Sequence, residues 1–203
     1  MFDALVIGGG AAGMQCALVL GSAGTKDFAK DKKIGIVMHQ KASHLQTALF
    51  NNVLGLAPGT TGAQILESGG LQLAQMYPQV QQIDNEKVFK VEGQAGNFAV
   101  TTNKSAYTSK LIVIALGYTS FFDIEGLNHY LEPHALSEPE KNNVQLKNKN
   151  HLVAPGIYVA GTLAGWRSQF AIAAGSGAQV ATDILTLWNG GKHTKVHDKV
   201  EEF

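Results

Sequence analysis

The stretch that decides the fold reads ALVIGGGAAGMQCALVLGSAG and spans residues 4–24. An apolar strand over residues 4–7 runs directly into three spaced glycines and then into a helix-like apolar run. Gly8 permits the tight turn, Gly10 lets the backbone approach phosphates, and Gly13 lets the helix pack closely on the strand. The N–H groups at such a helix start attract anions. The pattern therefore predicts a site for the pyrophosphate of a dinucleotide, without saying which dinucleotide binds.

The composition is that of an ordinary globular domain. The chain has 203 residues, of which 45% are hydrophobic, and that length is enough for one domain with a buried core. Because the formal net charge is +0, we expect no nucleic-acid partner. No apolar run approaches the roughly 18 residues of a membrane helix, so no membrane partner is expected either. The N-terminus lacks a basic region followed by an apolar run, which favours a cytoplasmic protein.

Cysteine and histidine usage narrows the chemistry. Cys16 is the one cysteine of the chain, which excludes an intramolecular disulfide framework and a CxxC redox pair. Its place in the first helix predicts a buried core thiol rather than a reactive one. The histidines lack metal-ligand spacing, so we assign no metal site.

The rest of the chain has the pattern of an α/β domain. Strands are predicted at residues 34–38, 88–91, 98–102, 105–108, 111–115 and 157–159, and helices at 62–77 and 168–188. Residues 40–61 look irregular, and the polar residues 119–150 are expected to form an exposed connection. The predicted fold class is α/β, with a doubly wound, mainly parallel Rossmann-like sheet flanked by helices and a small antiparallel meander on one side.

Further glycine-containing segments follow the first one along the chain. ALG at 115–117 and AGT at 160–162 each end a predicted strand, and the second is followed by a helix that contains Gly175 and Gly177. Together with the N-terminal glycines and NNVLG at 51–55, they keep the order typical of one flavoprotein family. The chain resembles, over nearly its whole length, the FAD-binding half of the thioredoxin reductase-like flavoproteins of the pyridine nucleotide-disulfide oxidoreductase superfamily.

This resemblance implies FAD as the cofactor and a set of residues around it. The N-terminal turn would face the pyrophosphate, Asn52 would lie near the flavin, and Gln169 would begin a helix aimed at the isoalloxazine ring. A helix N-terminus stabilises the negative charge of a reduced flavin. The predicted cofactor-binding residues are Gly8, Gly10, Ala11, Ala12, Gly13, Met38, His39, Gln40, Asn52, Val88, Ala115, Gly117, Gly161, Thr162, Gln169 and Phe170. No catalytic residue is assigned.

The resemblance also implies a domain organisation. Residues 1–190 are predicted to form a single FAD-binding domain, in which residues 118–150 take the place of the family's NADPH-binding domain. Residues 191–203 are predicted to be a charged, solvated tail. A homodimer is implied by the resemblance as well.

Four departures from the family's pattern bear on function. The family has an acidic residue at the end of the second strand, where it meets the adenosine ribose. Here that position is Met38, or His39 in a register shifted by one, and neither is a carboxylate. His39, Gln40 or the backbone would therefore bind the ribose. Thr162 stands where the family has an aspartate, and its hydroxyl can still reach the ribityl chain without charge assistance. A second GxGxxG turn and a CxxC pair are both missing from the sequence.

These features predict a minimal FAD-dependent oxidoreductase or electron-transfer flavoprotein that is not a disulfide reductase. Its electrons would come from a separate donor, free NAD(P)H or a protein, and go to a small-molecule or protein acceptor. Two alternatives stay open, a non-catalytic FAD-binding or sensing module or subunit, and a plain NAD-binding protein. Trp166 and Arg167 are placed either at the flavin or in a surface turn, and His44 either beside the flavin or in solvent.

Overall fold

The computed structural model describes residues 1–39, 43–119 and 121–197. Its strands and α-helices follow in the order β1 (Ala4–Ile7), α1 (Ala11–Ser22), β2 (Ile34–Met38), β3 (Leu49–Phe50), β4 (Thr60–Thr61), α2 (Gly62–Met76), β5 (Val80–Asp84), β6 (Val88–Gln94), β7 (Asn97–Thr102), β8 (Ala106–Ser109), β9 (Ile112–Ile114), β10 (Leu131–Pro133), β11 (Val144–Leu146), β12 (Leu152–Ala154), β13 (Ile157–Val159) and α3 (Phe170–Trp188).

A six-stranded sheet in the order β12-β13-β9-β1-β2-β5 forms the middle of the molecule. All neighbouring pairs are parallel except β12 with β13 at one edge. From β1 the chain builds outward through β2 to β5, and it then returns to the other side of β1 to add β9 and β13. The direction of winding therefore changes between β1 and β9, and in such sheets ligands bind at the carboxyl ends of the strands next to this switch point.

The two faces of the sheet are covered differently. One face packs against helices, with Leu20 of α1 and Ile184 of α3 fully buried. The other face packs against the β6–β8 meander and the segment that follows β9, with Val100 and Leu127 fully buried. Each such aliphatic side chain stabilises the fold by about 1.5–3 kcal/mol. The predicted α/β fold class with a parallel sheet and a small antiparallel meander is confirmed.

Local predictions were accurate where a strand is buried on both faces. β1 and β2 have the predicted bounds, and β13 does as well. β5 was missed, because only Val80 and Ile83 are buried in this edge strand, and its sequence, VQQID, is polar rather than an apolar run. Residues 40–61 were predicted to be irregular, but within them β3 pairs with the adjacent β4 in a small hairpin.

Most described residues of the segment 119–150 are exposed, as predicted, but the segment also contributes to the core. Ile124, Leu127 and Leu146 are buried there and belong to the second core cluster, and β10 pairs with β11 in a hairpin. These residues stand among polar ones and form no sustained helical or strand repeat, so the sequence gave no sign of their burial. In the described part of the C-terminal tail, Thr194 is likewise buried although a solvated tail was predicted.

Within the described residues, α3 is the one helix whose length and composition would suffice to cross a membrane. The sequence-based expectation named no stretch of that length and apolar composition. A single such helix is weak evidence, because core helices meet the same criterion. Here the buried side of α3, which includes Val180 and Ile184, packs in the same core cluster as α1.

Candidate functional site

A cavity of about 560 Å³ lies at the carboxyl edge of the parallel sheet, at the switch point. Residues after β1, β2, β9 and β13 line it, and so do the first residues of α1 and α3. Most of the predicted cofactor-binding residues are on its wall: Gly8, Gly10, Ala11, Ala12, His39, Val88, Ala115, Gly117, Gly161, Thr162, Gln169 and Phe170.

The start of α1 is open toward the cavity. Gly10 is its N-cap residue, no side chain caps this end, and the first turn carries no acidic residue. The first N–H groups of a helix, here those of Ala11 and Ala12, have no partner within the helix. A side chain at position 10 would meet no atom within 4 Å, so the missing Cβ leaves room beside these donors. This end of α1 can bind an anion.

Gly8 and Gly13 serve the turn in another way. Gly8 has φ +119°, which favours glycine, and a Cβ there would overlap the carbonyl of Ala115, the residue directly after the neighbouring strand β9. A Cβ at Gly13 would overlap the Gly8 carbonyl. Gly13 is buried and does not line the cavity. The geometry supports the packing role expected from its spacing, and its place at the pyrophosphate stays a prediction.

The start of α3 is the second helix end at the cavity. Its N-cap residue, Gln169, makes no side-chain cap, and the first turn again lacks an acidic residue. Gly177 allows α3 to lie close to α1, because a Cβ there would overlap the Ala12 carbonyl. The Gly161 N–H donates to the Ser176 hydroxyl at 2.8 Å, which ties the β13 end to α3. Two helix N-termini therefore face one cavity.

Thr162, on the cavity wall, is contacted by His134, a residue that does not itself line the cavity. The Nε2 of His134 lies 3.0 Å from the Thr162 carbonyl oxygen, and its Nδ1 accepts the Leu136 N–H at 3.2 Å. Because Nδ1 accepts, Nε2 is the ring nitrogen that donates to the Thr162 carbonyl. The ring of Tyr118, which lines the cavity, lies 5.1 Å from the His134 ring. The β10–β11 segment thus supports the cavity wall.

The end of β2 differs from the prediction. Met38 is buried, and its side chain fills the space beside Gly9, so Met38 does not line the cavity. His39 is exposed on the wall, and Gln40 lies outside the described residues. Glu86, which the sequence analysis missed, reaches this place: its N–H donates to the Met38 carbonyl at 3.3 Å, and it lines the cavity.

The Glu86 carboxylate is oriented by two hydroxyl groups. It accepts hydrogen bonds from Tyr107 at 3.0 Å and from Thr102. Both donors belong to the meander, so the carboxylate links that small sheet to the end of β2. A carboxylate therefore does lie beside β2, although it comes from the loop between β5 and β6 and no pattern in the sequence around β2 points to it.

Four further positions named in the sequence analysis can be located relative to the cavity. Asn52 is exposed and does not line the cavity, so its prediction beside the cofactor is not supported by the cavity wall. Trp166 stacks on His151 with ring centroids 5.9 Å apart, and neither it nor the exposed Arg167 lines the cavity. His44 does line it.

The comparisons with known proteins agree with this architecture. The profile of the pyridine nucleotide-disulphide oxidoreductase family matches residues 2–154. The chain belongs to this family. The predicted resemblance to its FAD-binding, thioredoxin reductase-like domain is thereby confirmed. No curated protein matches the chain.

Solved structures of such enzymes share the fold. A thioredoxin reductase from Gloeobacter violaceus superposes with a TM-score of 0.75 at 14% identity, covering 98% of this chain and 99% of that one. An oxidoreductase from Agrobacterium tumefaciens gives 0.70 at 16% identity, covering 92% and 98%. A putative thioredoxin reductase from Bacillus anthracis gives 0.69 at 16% identity, covering 94% and 99%. At these identities the likeness concerns the fold.

Cys16, the one cysteine of the chain, is not placed to act as a redox group. Cys16 is fully buried in α1, and burial raises the pKa of its thiol to about 12. A thiol reacts as the thiolate, which is scarce at neutral pH when the pKa is so high. The expectation of a core thiol is consistent with this burial.

Proposed function

We propose that the protein is a single-domain FAD-dependent oxidoreductase, which takes electrons from a separate donor and passes them to a small-molecule or protein acceptor. The donor is free NAD(P)H or a reduced protein. The observation that carries the proposal is the pair of uncapped helix N-termini, of α1 and α3, at one cavity beside the switch point of the sheet. Such an arrangement suits a ligand with an anionic middle and a second electron-rich group.

The residues present fit FAD. The α1 start at Gly10 and Ala11 would hold the pyrophosphate, and the bare wall at Gly117 would admit the cofactor closely, because a Cβ there would meet nothing within 4 Å. Thr162 offers a hydroxyl to the ribityl chain, and His39 with Glu86 would meet the adenosine end. The flavin, when bound, supplies two-electron redox chemistry, while the protein binds and orients it.

The α3 start gives the protein influence over the flavin's charge state. Its first N–H groups and its dipole favour an anion at Gln169 and Phe170 by about 0.3–1 kcal/mol, and more when the site is partly buried. Cys16 cannot carry electrons away, because it is buried with a pKa of about 12. Electrons would therefore leave the cofactor directly, and the proposed activity is not disulfide reduction by this chain's own thiols.

The first experiment identifies the cofactor. Purified protein is mixed with FAD or with NAD, and the melting temperature and the absorbance near about 450 nm, typical of flavins, are recorded. At a ligand concentration of 100 Kd, binding stabilises the folded protein by about 2.7 kcal/mol. Stabilisation by FAD with a bound absorbance band supports the proposal. Stabilisation by NAD alone would identify a plain NAD-binding protein instead.

The second experiment separates an enzyme from a binding module. The FAD-loaded protein is mixed rapidly with NADH or NADPH, and bleaching of the flavin band is followed before an acceptor is added. Fast bleaching with turnover supports the oxidoreductase. Failure of both nucleotides would favour reduction by a partner protein or a sensing role. The proposed homodimer is tested on the same sample by sedimentation equilibrium.

A further inference from the structure

The short turn Gly161–Ala164, named here the wall turn, joins the end of β13 to the loop before α3. Its first two residues line the cavity. Two of its backbone carbonyls accept hydrogen bonds from side chains elsewhere in the chain. His134 Nε2 lies 3.0 Å from the Thr162 oxygen, and Asn148 Nδ2 donates to the Ala164 oxygen at 3.2 Å. Both side chains flank or follow the β10–β11 hairpin, so this part of the chain contacts the wall turn without lining the cavity itself.

The His134 ring is fixed at both nitrogens. The residue is 6% exposed, and its Nδ1 accepts the Leu136 N–H at 3.2 Å, so Nε2 is the nitrogen that donates to the wall turn. The Tyr118 ring packs on it with ring centroids 5.1 Å apart. The backbone of His134 is also paired, because its N–H donates to the Asn143 carbonyl at 2.9 Å. These contacts define the orientation of the ring and direct one donor at the Thr162 carbonyl.

The bond from His134 sets the position of Thr162. The Thr162 carbonyl also accepts the Gly165 N–H at 3.0 Å, a local bond at the end of the turn. The bond from His134, in contrast, ties Thr162 to a part of the chain that lies 28 residues away. The Thr162 hydroxyl is the group that the proposed function assigns to the ribityl chain. Because a hydrogen bond weakens steeply when it is misaligned, an uncharged hydroxyl must be held at the right distance and angle to contribute.

We propose that His134 is a positioning residue of the cavity. Its Nε2–H fixes the wall turn and thereby the Thr162 hydroxyl, which meets the ribityl chain of FAD in the proposed function. This inference rests on the proposed function, since it concerns the cofactor of that same site. His134 acts through Thr162 and does not line the cavity itself.

The first test compares substitutions of His134. His134→Leu keeps an apolar side chain of similar reach in the buried position but removes the donor. It is expected to raise the Kd of FAD about tenfold, which corresponds to about 1.4 kcal/mol. His134→Gln places an amide N–H at the same number of bonds from Cα as Nε2 of histidine, and it is expected to bind FAD within about threefold of the wild-type protein. His134→Asn, whose amide is one bond shorter, is expected to show the loss of His134→Leu and replaces that variant if it does not fold.

The Kd is measured by the quenching of flavin fluorescence, and the free energy of unfolding of each FAD-free variant is measured in urea. The matched control is Asn143→Ala, because Asn143 follows the same hairpin turn and its side chain donates to the Ser137 hydroxyl at 2.8 Å. This control removes a side-chain hydrogen bond from the hairpin, so it is expected to lower stability but to leave the Kd of FAD within about twofold.

A double-mutant cycle tests whether His134 acts through the Thr162 hydroxyl. Thr162→Val removes the hydroxyl while it keeps the shape of the side chain. In that background, His134→Leu is expected to raise the Kd of FAD by less than about threefold, because the group that it positions is already missing.

A further measurement uses FAD-free protein. The N–H groups of Gly161 and Gly165 donate to the Ser176 hydroxyl and to the Thr162 carbonyl, so their hydrogen exchange reports on the wall turn. His134→Leu is expected to accelerate exchange at these two amides about tenfold. His134→Gln is expected to restore it, and Asn143→Ala to leave it within about twofold of the wild-type rate.

Three results on FAD binding would overturn the inference: an effect of His134→Leu no larger than that of Asn143→Ala, an equal loss in His134→Gln, or the full tenfold effect in Thr162→Val protein. Exchange at Gly161 and Gly165 that His134→Leu leaves unchanged would overturn it whether or not FAD binds. Exchange that depends on His134 in a wild-type protein that binds no FAD supports the fixing of the wall turn and contradicts the proposed function alone. FAD binding that does not depend on His134 contradicts this inference alone.

Discussion

Gly10→Val tests whether a pyrophosphate lies on the start of α1. Gly10 has φ −80° and ψ −171°, an extended conformation that valine adopts easily, and a Cβ at this position meets no atom within 4 Å. The folded protein should therefore tolerate the change, with a loss of at most about 1 kcal/mol from the poorer N-cap. The added isopropyl group would instead occupy the space in front of the N–H groups of Ala11 and Ala12.

The expected loss of affinity follows from those two donors. A hydrogen bond to a charged group contributes about 1.5–3 kcal/mol. Losing two of them costs about 3–6 kcal/mol, which raises the Kd of FAD by between about 10² and 10⁴-fold. The Kd is measured by titrating FAD-free protein and following the quenching of flavin fluorescence, and the free energy of unfolding of the same sample is measured in urea.

The matched control is Gly175→Val. Gly175 is exposed on α3, its Cβ would also meet nothing within 4 Å, and it does not line the cavity. Glycine and valine differ little in a helix, so stability and FAD affinity should both stay close to those of the wild-type protein. If Gly10→Val binds FAD within about threefold of the wild-type protein, the pyrophosphate does not lie on this helix start and the reasoning fails.

Three other predictions concern the frame around the site. Gly13→Ala should lower the free energy of unfolding of FAD-free protein by about 1–3 kcal/mol in urea, because the new methyl overlaps a backbone carbonyl of the glycine turn; unchanged stability would contradict that close packing. Burial alone would raise the pKa of the Asp3 carboxyl. The hydrogen bond from Lys110 at 2.9 Å and other positive neighbours lower it by more, so the net pKa lies below its ordinary value. Asp3 therefore stabilises the fold above its unfolded pKa and loses this effect as pH falls through its folded pKa. Asp3→Asn should cost about 1 kcal/mol at pH 7 and progressively less in acid, whereas Asp27→Asn, at an exposed ion pair, should change little in the same pH series. Cys16 should resist a disulfide reagent at pH 8 in the native protein and react fully in denaturant, since it is buried with a pKa of about 12; rapid reaction of the native protein would show that α1 opens.

Much of the fold could be predicted because its signals are local or repeated. The strand–glycine–helix unit at residues 4–22 could be predicted because the glycines that its tight turn requires, Gly8 and Gly13, stand directly between an apolar strand and an apolar helix in the sequence. Strands buried on both faces, such as β2 and β9, are continuous apolar runs. The edge strand β5 and the buried residues Ile124 and Leu127 have no such signal, because they contact partners that are far away in the chain.

The sequence alone determined which backbone turn can receive a dinucleotide, because the absence of side chains at positions 8, 10 and 13 is a local property. Only the tertiary structure decided what surrounds that turn. The strand order places the end of β9 beside it, the second core packs the segment after β9 against the sheet, and Glu86 and Phe121 thereby reach the cavity. These residues come from loops whose positions are set by long-range packing, and no spacing along the chain encodes such a position.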